Sequence, residues 1–237
     1  MNFVFSKAVQ NKLILENPAE HLTLPIGTKS TRRAITLKER THIMKVAEKE
    51  PRYAYFLTML FCGCRPSEAA ELQGMDVQAI DGKNILHIRG TKTQNADRYV
   101  PIPDELMRYL PKKEPFERLF VSWEGKPLTV QNRNHLWNHF WRDLNISMGC
   151  KVYRNQIMEP YPVADDLVPY CLRHTYCTDL QKKGIDIRTA QYLMGHADIK
   201  MTANIYTHTD TETVLEVADV LNGVAPTVAP ADESIEK

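Results

Sequence analysis

Apolar residues recur every three to four positions along most of the chain and every second position in one stretch. The longest apolar run, Tyr53 to Phe61, is continuous enough to predict a helix buried on all sides. Before it, Thr36 and Glu39 have the spacing of a capping box, which predicts a helix from there to about Lys49, with Pro51 marking its end. Leu136, Trp137, Phe140, Trp141 and Leu144 fall at helical spacing within 129–145 and predict a long amphipathic helix with those residues in the core. Leu172, Tyr176 and Leu180 repeat every four residues after Pro169, a residue suited to a first helical turn, and Gly184 follows where that helix should stop. Tyr170, Arg173, His174 and Cys177 share a neighbouring face of it. A second short helix is predicted over about 187–194, ahead of Gly195 and His196, and Asp198 can cap a third that carries Tyr206.

Period-two alternation appears only over 84–103, on both sides of a polar centre, and predicts a β-hairpin. Ile85, His87 and Arg89 would lie on one face, Leu86 and Ile88 on the other, with Arg98 to Ile102 as the return strand. Shorter signals predict a helix over 104–110, a brief buried run at 119–121, and an irregular loop over 148–168. Thr211 to Leu221 again has helical spacing, with Val214, Val217, Ala218 and Leu221 on one face; beyond it periodicity is lost. The fold class is therefore α+β, mostly helical with one small antiparallel sheet or hairpin. No internal repeat is present.

Composition narrows this picture only slightly. A length of 237 residues, 43% hydrophobic and 25% charged, suits one substantial core. Net charge is +1, so any polyanion must be recognised by local clusters of cations. Five cysteines show no paired metal spacing and imply reduced thiols in a cytoplasmic protein. Cys171, His174 and Cys177 spread over too wide an arc of one helix to hold a zinc ion. No long apolar run or signal-peptide pattern occurs, which disfavours membrane and secretory roles.

Among the chemical groups, Arg173 could grip an oxyanion through its planar fork, His196 could donate a hydrogen bond, and Tyr206 could attack as a phenolate. Each has an ordinary alternative: a surface charge, a packed imidazole, a core ring. In G-C-R-P-S-E, Gly63 permits a close approach, Pro66 sets a helical first turn and Arg65 projects at the junction. Lys92 sits near the hairpin turn, where lysines commonly protect a strand edge. Asn132, Arg133, Asn134, His135 and Arg142 form either a phosphate-facing or a solvated helix face.

The ordered motifs L-R-H-T, L-M-G-H and I-Y-T-H, within about forty residues, closely resemble the C-terminal signature of the tyrosine recombinase, or phage integrase, family. G-C-R-P-S-E and G-T-K-T resemble two further family motifs, so the likeness spans about residues 36–212. It implies a catalytic set of Arg65, Lys92, Arg173, His196 and Tyr206, with Glu68, Tyr170 and His174 in support. It further implies cleavage and rejoining of double-stranded DNA through a 3′-phosphotyrosine, with Lys92 protonating the departing 5′ oxygen and no metal or cofactor. One position departs from the pattern: Tyr170 stands where H-x-x-R is usual, and a tyrosine with a pKa near 10 accepts a proton poorly at pH 7. His174 reads as a supporting residue because it lies on the far side of Arg173 in the sequence.

The expected organisation is a remnant of a preceding DNA-clamping domain and linker at 1–25, a catalytic domain at 26–222 that opens on a flexible basic connection with Lys29, Arg32 and Arg33, and a disordered tail at 223–237. The expected assembly is a monomer in solution and a homotetramer on two DNA duplexes, in the cytoplasm and in service of a mobile element. A catalytically impaired DNA-binding relic and a relaxing topoisomerase of the same chemistry are the alternatives.

Overall fold

The computed structural model describes residues 2–22, 32–90 and 97–206. Lys29, Lys92, the helix expected over 211–221 and the tail at 223–237 lie outside them. Contacts divide the chain into two units, 1–31 and 32–237. In the first, α1 (Asn2–Gln10) is followed by a turn in which the Asn17 amide donates to Ser6 Oγ at 3.1 Å.

The second unit opens with the capping box that its sequence predicts. Glu39 N–H donates to Thr36 Oγ1 at 3.1 Å and Thr36 N–H to Glu39 Oε2 at 2.7 Å, which starts α2 (Leu37–Lys49). Arg33 is not part of a loose connection: its fork reaches both oxygens of buried Glu39 at 2.8 and 2.7 Å, and its Nε lies 2.9 Å from Asp166. Every residue of α3 (Ala54–Cys62) is buried, as its unbroken apolar run requires. Gly63 ends α3 with a left-handed φ of 63°. A Cβ there would stand 2.4 Å from the Tyr176 ring, so only glycine allows α3 to lie this close to the helix that carries Tyr176. α4 (Pro66–Glu71) begins at once with proline in its first turn.

The sheet has three strands rather than two. β1 (Val77–Ile80), β2 (Lys83–Ile88) and β3 (Arg98–Pro101) form an antiparallel meander in which Leu86 faces Val100 and Ile88 faces Arg98. The predicted alternation holds in β2, with Leu86 and Ile88 buried. α5 (Asp104–Met107) is one turn long, shorter than its periodicity suggests.

α6 (Val130–Ser147), capped by Thr129, packs Phe140 edge-on against Tyr53 at 5.1 Å and tilted against Phe56 at 4.6 Å. Trp137 and Trp141 are only partly buried, at the core's margin. The 148–168 stretch is more regular than expected. β4 (Val152–Tyr153) and β5 (Gln156–Ile157) pair across Arg154 and Asn155, both with positive φ, as a two-residue hairpin turn requires. Buried Asn145 fastens the segment, its side-chain oxygen accepting from Val163 N–H at 3.0 Å.

α7 (Pro169–Lys182) is the central helix, with Cys171, Leu172, Arg173, Thr175, Tyr176, Cys177 and Leu180 buried against α3, α8 (Ile187–Met194) and α9 (Ile199–Tyr206). All five cysteines are buried and free. Among the described residues no helix is long and apolar enough to cross a membrane.

Candidate active site

The C-terminal end of α8 organises the site. A helix terminus leaves carbonyls without intrahelical partners and carries a partial negative charge. Three successive carbonyls here are taken by three arginines from three different elements. Leu193 O accepts from Arg98 Nε at 2.9 Å, Met194 O from Arg173 Nη2, and Gly195 O from Arg65 Nη2 at 2.7 Å. Gly195 caps the helix with φ 61°, which turns its carbonyl toward Arg65 and presents His196 next in the chain.

Glu68 closes the cluster from the other side. Its Oε1 accepts from Arg65 Nη1 at 2.6 Å and Arg98 Nη1 at 3.2 Å. Its Oε2 accepts from Arg98 Nη2 at 2.9 Å and Arg65 N–H at 2.7 Å, and lies 3.9 Å from Arg173 Nη1. Arg173 also donates to Gly63 O, so the residue that brings α3 close to Tyr176 supplies an acceptor as well. Arg98 and Arg173 are buried, whereas Arg65 keeps 29% of its side chain exposed and opens to solvent. Three guanidinium groups around one carboxylate leave a strongly cationic pocket suited to a phosphodiester.

Electrostatics set the protonation states. Burial pushes the Glu68 carboxyl up, but the bonds and charges of Arg98 and Arg65 more than offset this and hold it at about 2. Burial, then the charges of Arg173, Arg65 and Arg98, lowers His196 to about 4, so the imidazole is neutral at pH 7. Its Nδ1 lies 2.9 Å from the Thr202 hydroxyl. If that hydroxyl donates, the imidazole hydrogen sits on Nε2, the tautomer that can donate to a phosphate oxygen. Burial lowers Arg173 to about 10, which leaves it charged.

Both depressed values link stability to pH with one sign. Each group stabilises the fold fully above its unfolded pKa, His196 losing its contribution between about pH 6.5 and 4 and Glu68 between about 4.5 and 2. Each shift corresponds to roughly 3 kcal/mol. Urea midpoints are therefore expected to fall steadily as pH drops from 7 to 4, and the slope between pH 6.5 and 4 should flatten in His196→Gln. An unchanged slope in that variant would refute the buried neutral imidazole.

The structure thus brings Arg65, Glu68, Arg173 and His196 together. Tyr206 is elsewhere: its hydroxyl donates to Ile185 O at 3.1 Å, just before the N-terminal end of α8. With about 1.5 Å of rise per residue, the eight residues of α8 separate that carbonyl from the arginine cluster by roughly 12 Å. Burial, with Cys177 and Asp186 adding to it, pushes the phenol up to about 12, so Tyr206 rests protonated.

Tyr170, 48% exposed, lies beside Arg133, Ser67 and Pro169 in a cavity of about 370 Å³ adjoining α4. His174 is half-buried on α7. Arg142 is engaged away from the cluster, 2.8 Å from Asn155 Oδ1 and 3.3 Å from Asp143. Lys92 lies outside the described residues. Sequence reading missed Arg98 and Thr202. The signal for Arg98 was present: Arg98, Val100 and Ile102 share strand parity, which puts a charge on the apolar face.

The sequence pattern of the phage integrase family matches residues 33–213. Tyrosine recombinase XerD of Halalkalibacterium halodurans is 29% identical over 206 residues, covering 84% of this chain and 65% of the relative. Tyrosine recombinase XerA of Pyrococcus horikoshii is 30% identical over 210 residues, covering 86% and 67%. The chain spans about two thirds of the length of these relatives. Among solved structures, the Tn1549 transposon integrase in complex with circular intermediate DNA superposes with a TM-score of 0.67 at 21% identity, over 93% of this chain and 76% of that one. The catalytic domain of bacteriophage HP1 integrase superposes at 0.53 and 21% identity, over 82% and 99%. The fold is that of these integrases, and the chain belongs to the phage integrase family.

Proposed function

We propose that this chain is a site-specific DNA recombinase that cleaves and rejoins strands through a 3′-phosphotyrosine. The observation that carries the reading is the gathering of Arg65, Arg173 and neutral His196 at one helix end as a charge-stabilising cradle. A phosphodiester seated there would place its non-bridging oxygens against the two guanidinium groups, with the imidazole as a further donor. Tyr206 gives up its phenolic proton to water as its oxygen bonds to phosphorus, the P–O5′ bond breaks, and the leaving oxygen takes a proton. A 5′ hydroxyl from another strand reverses these steps. One phosphodiester replaces another, so no nucleotide fuel enters the balance. Attack requires Tyr206 to leave Ile185 O and α9 to carry its hydroxyl toward the cluster.

Lys92 is the proposed acid for the leaving oxygen. Lys92→Ala is expected to slow cleavage about 100-fold on ordinary DNA and to recover most of that on DNA with a bridging 5′ sulfur, which leaves without protonation. An equal deficit on both substrates would remove Lys92 from the role. Arg133, beside Tyr170 and Ser67, is the better placed DNA-backbone contact; Arg142 already binds Asn155 and Asp143. Exchange between two duplexes cuts four strands with one tyrosine each, hence four protomers on DNA, assembled from monomers. Reduced thiols and a DNA substrate fit a cytoplasmic setting.

The discriminating experiment mixes the protein with two labelled duplexes that carry its site, and separately with supercoiled plasmid. Recombinant duplexes are expected. Relaxation without joint products would indicate a topoisomerase, and binding without either a non-catalytic relic.

A further inference from the structure

We propose that Arg98, which no sequence motif singles out, is a positioning residue for the phosphate cradle: it touches no DNA and sets Arg65, Arg173 and His196 through Glu68 and the end of α8. This rests on the recombinase reading above. Arg98 is fully buried at the start of β3, opposite Ile88. Its surroundings on that face, Leu86, Ile88 and Val100, are apolar, and a buried ion pair by itself is weak evidence for stability because apolar replacements are often neutral or better. The charge must therefore be explained by what it holds.

It holds two things at once. Its two terminal nitrogens take both oxygens of Glu68 while Nε takes Leu193 O. Glu68 is thereby fixed in the rotamer that receives both the backbone and the guanidinium of Arg65. Leu193 O is the first of the three carbonyls; helix geometry fixes Met194 O relative to it, and the Gly195 cap, tied by its N–H to Gln191 O and Tyr192 O, carries the third. Those next two are the acceptors of Arg173 and Arg65, and His196 follows directly. A planar five-donor fork can span a carboxylate and a carbonyl together; a single ammonium cannot.

The test uses Arg98→Lys in the full chain, with folding checked by circular dichroism and urea unfolding. At saturating nicked duplex, single-turnover cleavage is expected to fall about 30-fold, as for a displaced charge donor, while the dissociation constant for DNA stays within about twofold. Combined with Arg65→Lys, the two losses should be far less than multiplicative, because Arg98 acts largely by placing the guanidinium that Arg65→Lys removes. Fully multiplicative losses, or a folded Arg98→Lys that cleaves within twofold of the unaltered protein, would overturn the inference. If Arg98→Lys does not fold, Arg98→Gln, which keeps one donor for Glu68, carries the same measurements. Failure of both to fold would make the role one of stability alone and overturn it too. Absence of cleavage by the unaltered protein would instead count against the recombinase reading.

Discussion

Tyr206→Phe is expected to abolish the covalent DNA adduct altogether while leaving the protein folded and able to bind DNA. The substitution removes the attacking oxygen, and the other hydroxyl on α9, that of Thr202, is buried and held 2.9 Å from His196 Nδ1. Its structural cost is small, because the lost bond to Ile185 O is made by a half-buried phenol and the carbonyl remains within reach of water, so about 1 kcal/mol or less is expected. Denaturing gels of protein incubated with nicked duplex would show the adduct for the unaltered chain and none for the variant. Gel shifts on the same DNA should superimpose. An undiminished adduct would move the nucleophile to another residue.

Arg173→Ala carries the second-largest expected effect and differs instructively from Arg65→Ala. Both remove a guanidinium from the phosphate cradle, and each should slow cleavage by about 100- to 1,000-fold. Stability should separate them. Arg173 is buried and donates to Gly63 O and Met194 O, so alanine strands two carbonyls that water reaches poorly, at a cost on the order of 1–3 kcal/mol each. Arg65 keeps 29% of its side chain exposed, so solvent can replace much of what it donates, and Glu68 retains Arg98. Urea midpoints should therefore drop clearly for Arg173→Ala and little for Arg65→Ala. Cleavage by Arg173→Ala within tenfold of the unaltered protein would exclude Arg173 from the transition state.

The difference between the two arginines also marks what the sequence could show. Elements with a local cause were legible: the Thr36–Glu39 capping box, the apolar run of α3, Pro66 at the head of α4, and the Leu172–Tyr176–Leu180 stripe of α7. So were the side chains that meet at the site, because Arg65, Glu68, Arg173 and His196 sit in short motifs. Their acceptors were not legible, because Gly63, Leu193, Met194 and Gly195 contribute main-chain oxygens that any residue possesses. β1 escaped notice because it is only four residues long and ends on exposed Ala79 and Ile80, without apolar alternation. Arg33 looked like linker charge because one partner, Asp166, is 133 residues away and the other, Glu39, already reads as the acid of a capping box. The resting place of Tyr206 is a tertiary property: helix periodicity puts the ring on α9 but says nothing of which carbonyl its hydroxyl meets.

One measurement addresses the central claim directly. Nicked duplex, labelled on the strand to be cut, is incubated with the full chain, and the denatured product is digested with protease and sequenced by mass spectrometry. Covalent catalysis by Tyr206 requires a single DNA-bearing peptide with the 3′ phosphate on that residue, and an equal yield of free 5′ hydroxyl ends. DNA joined to any other residue, joined through its 5′ end, or cut without a protein adduct would contradict it.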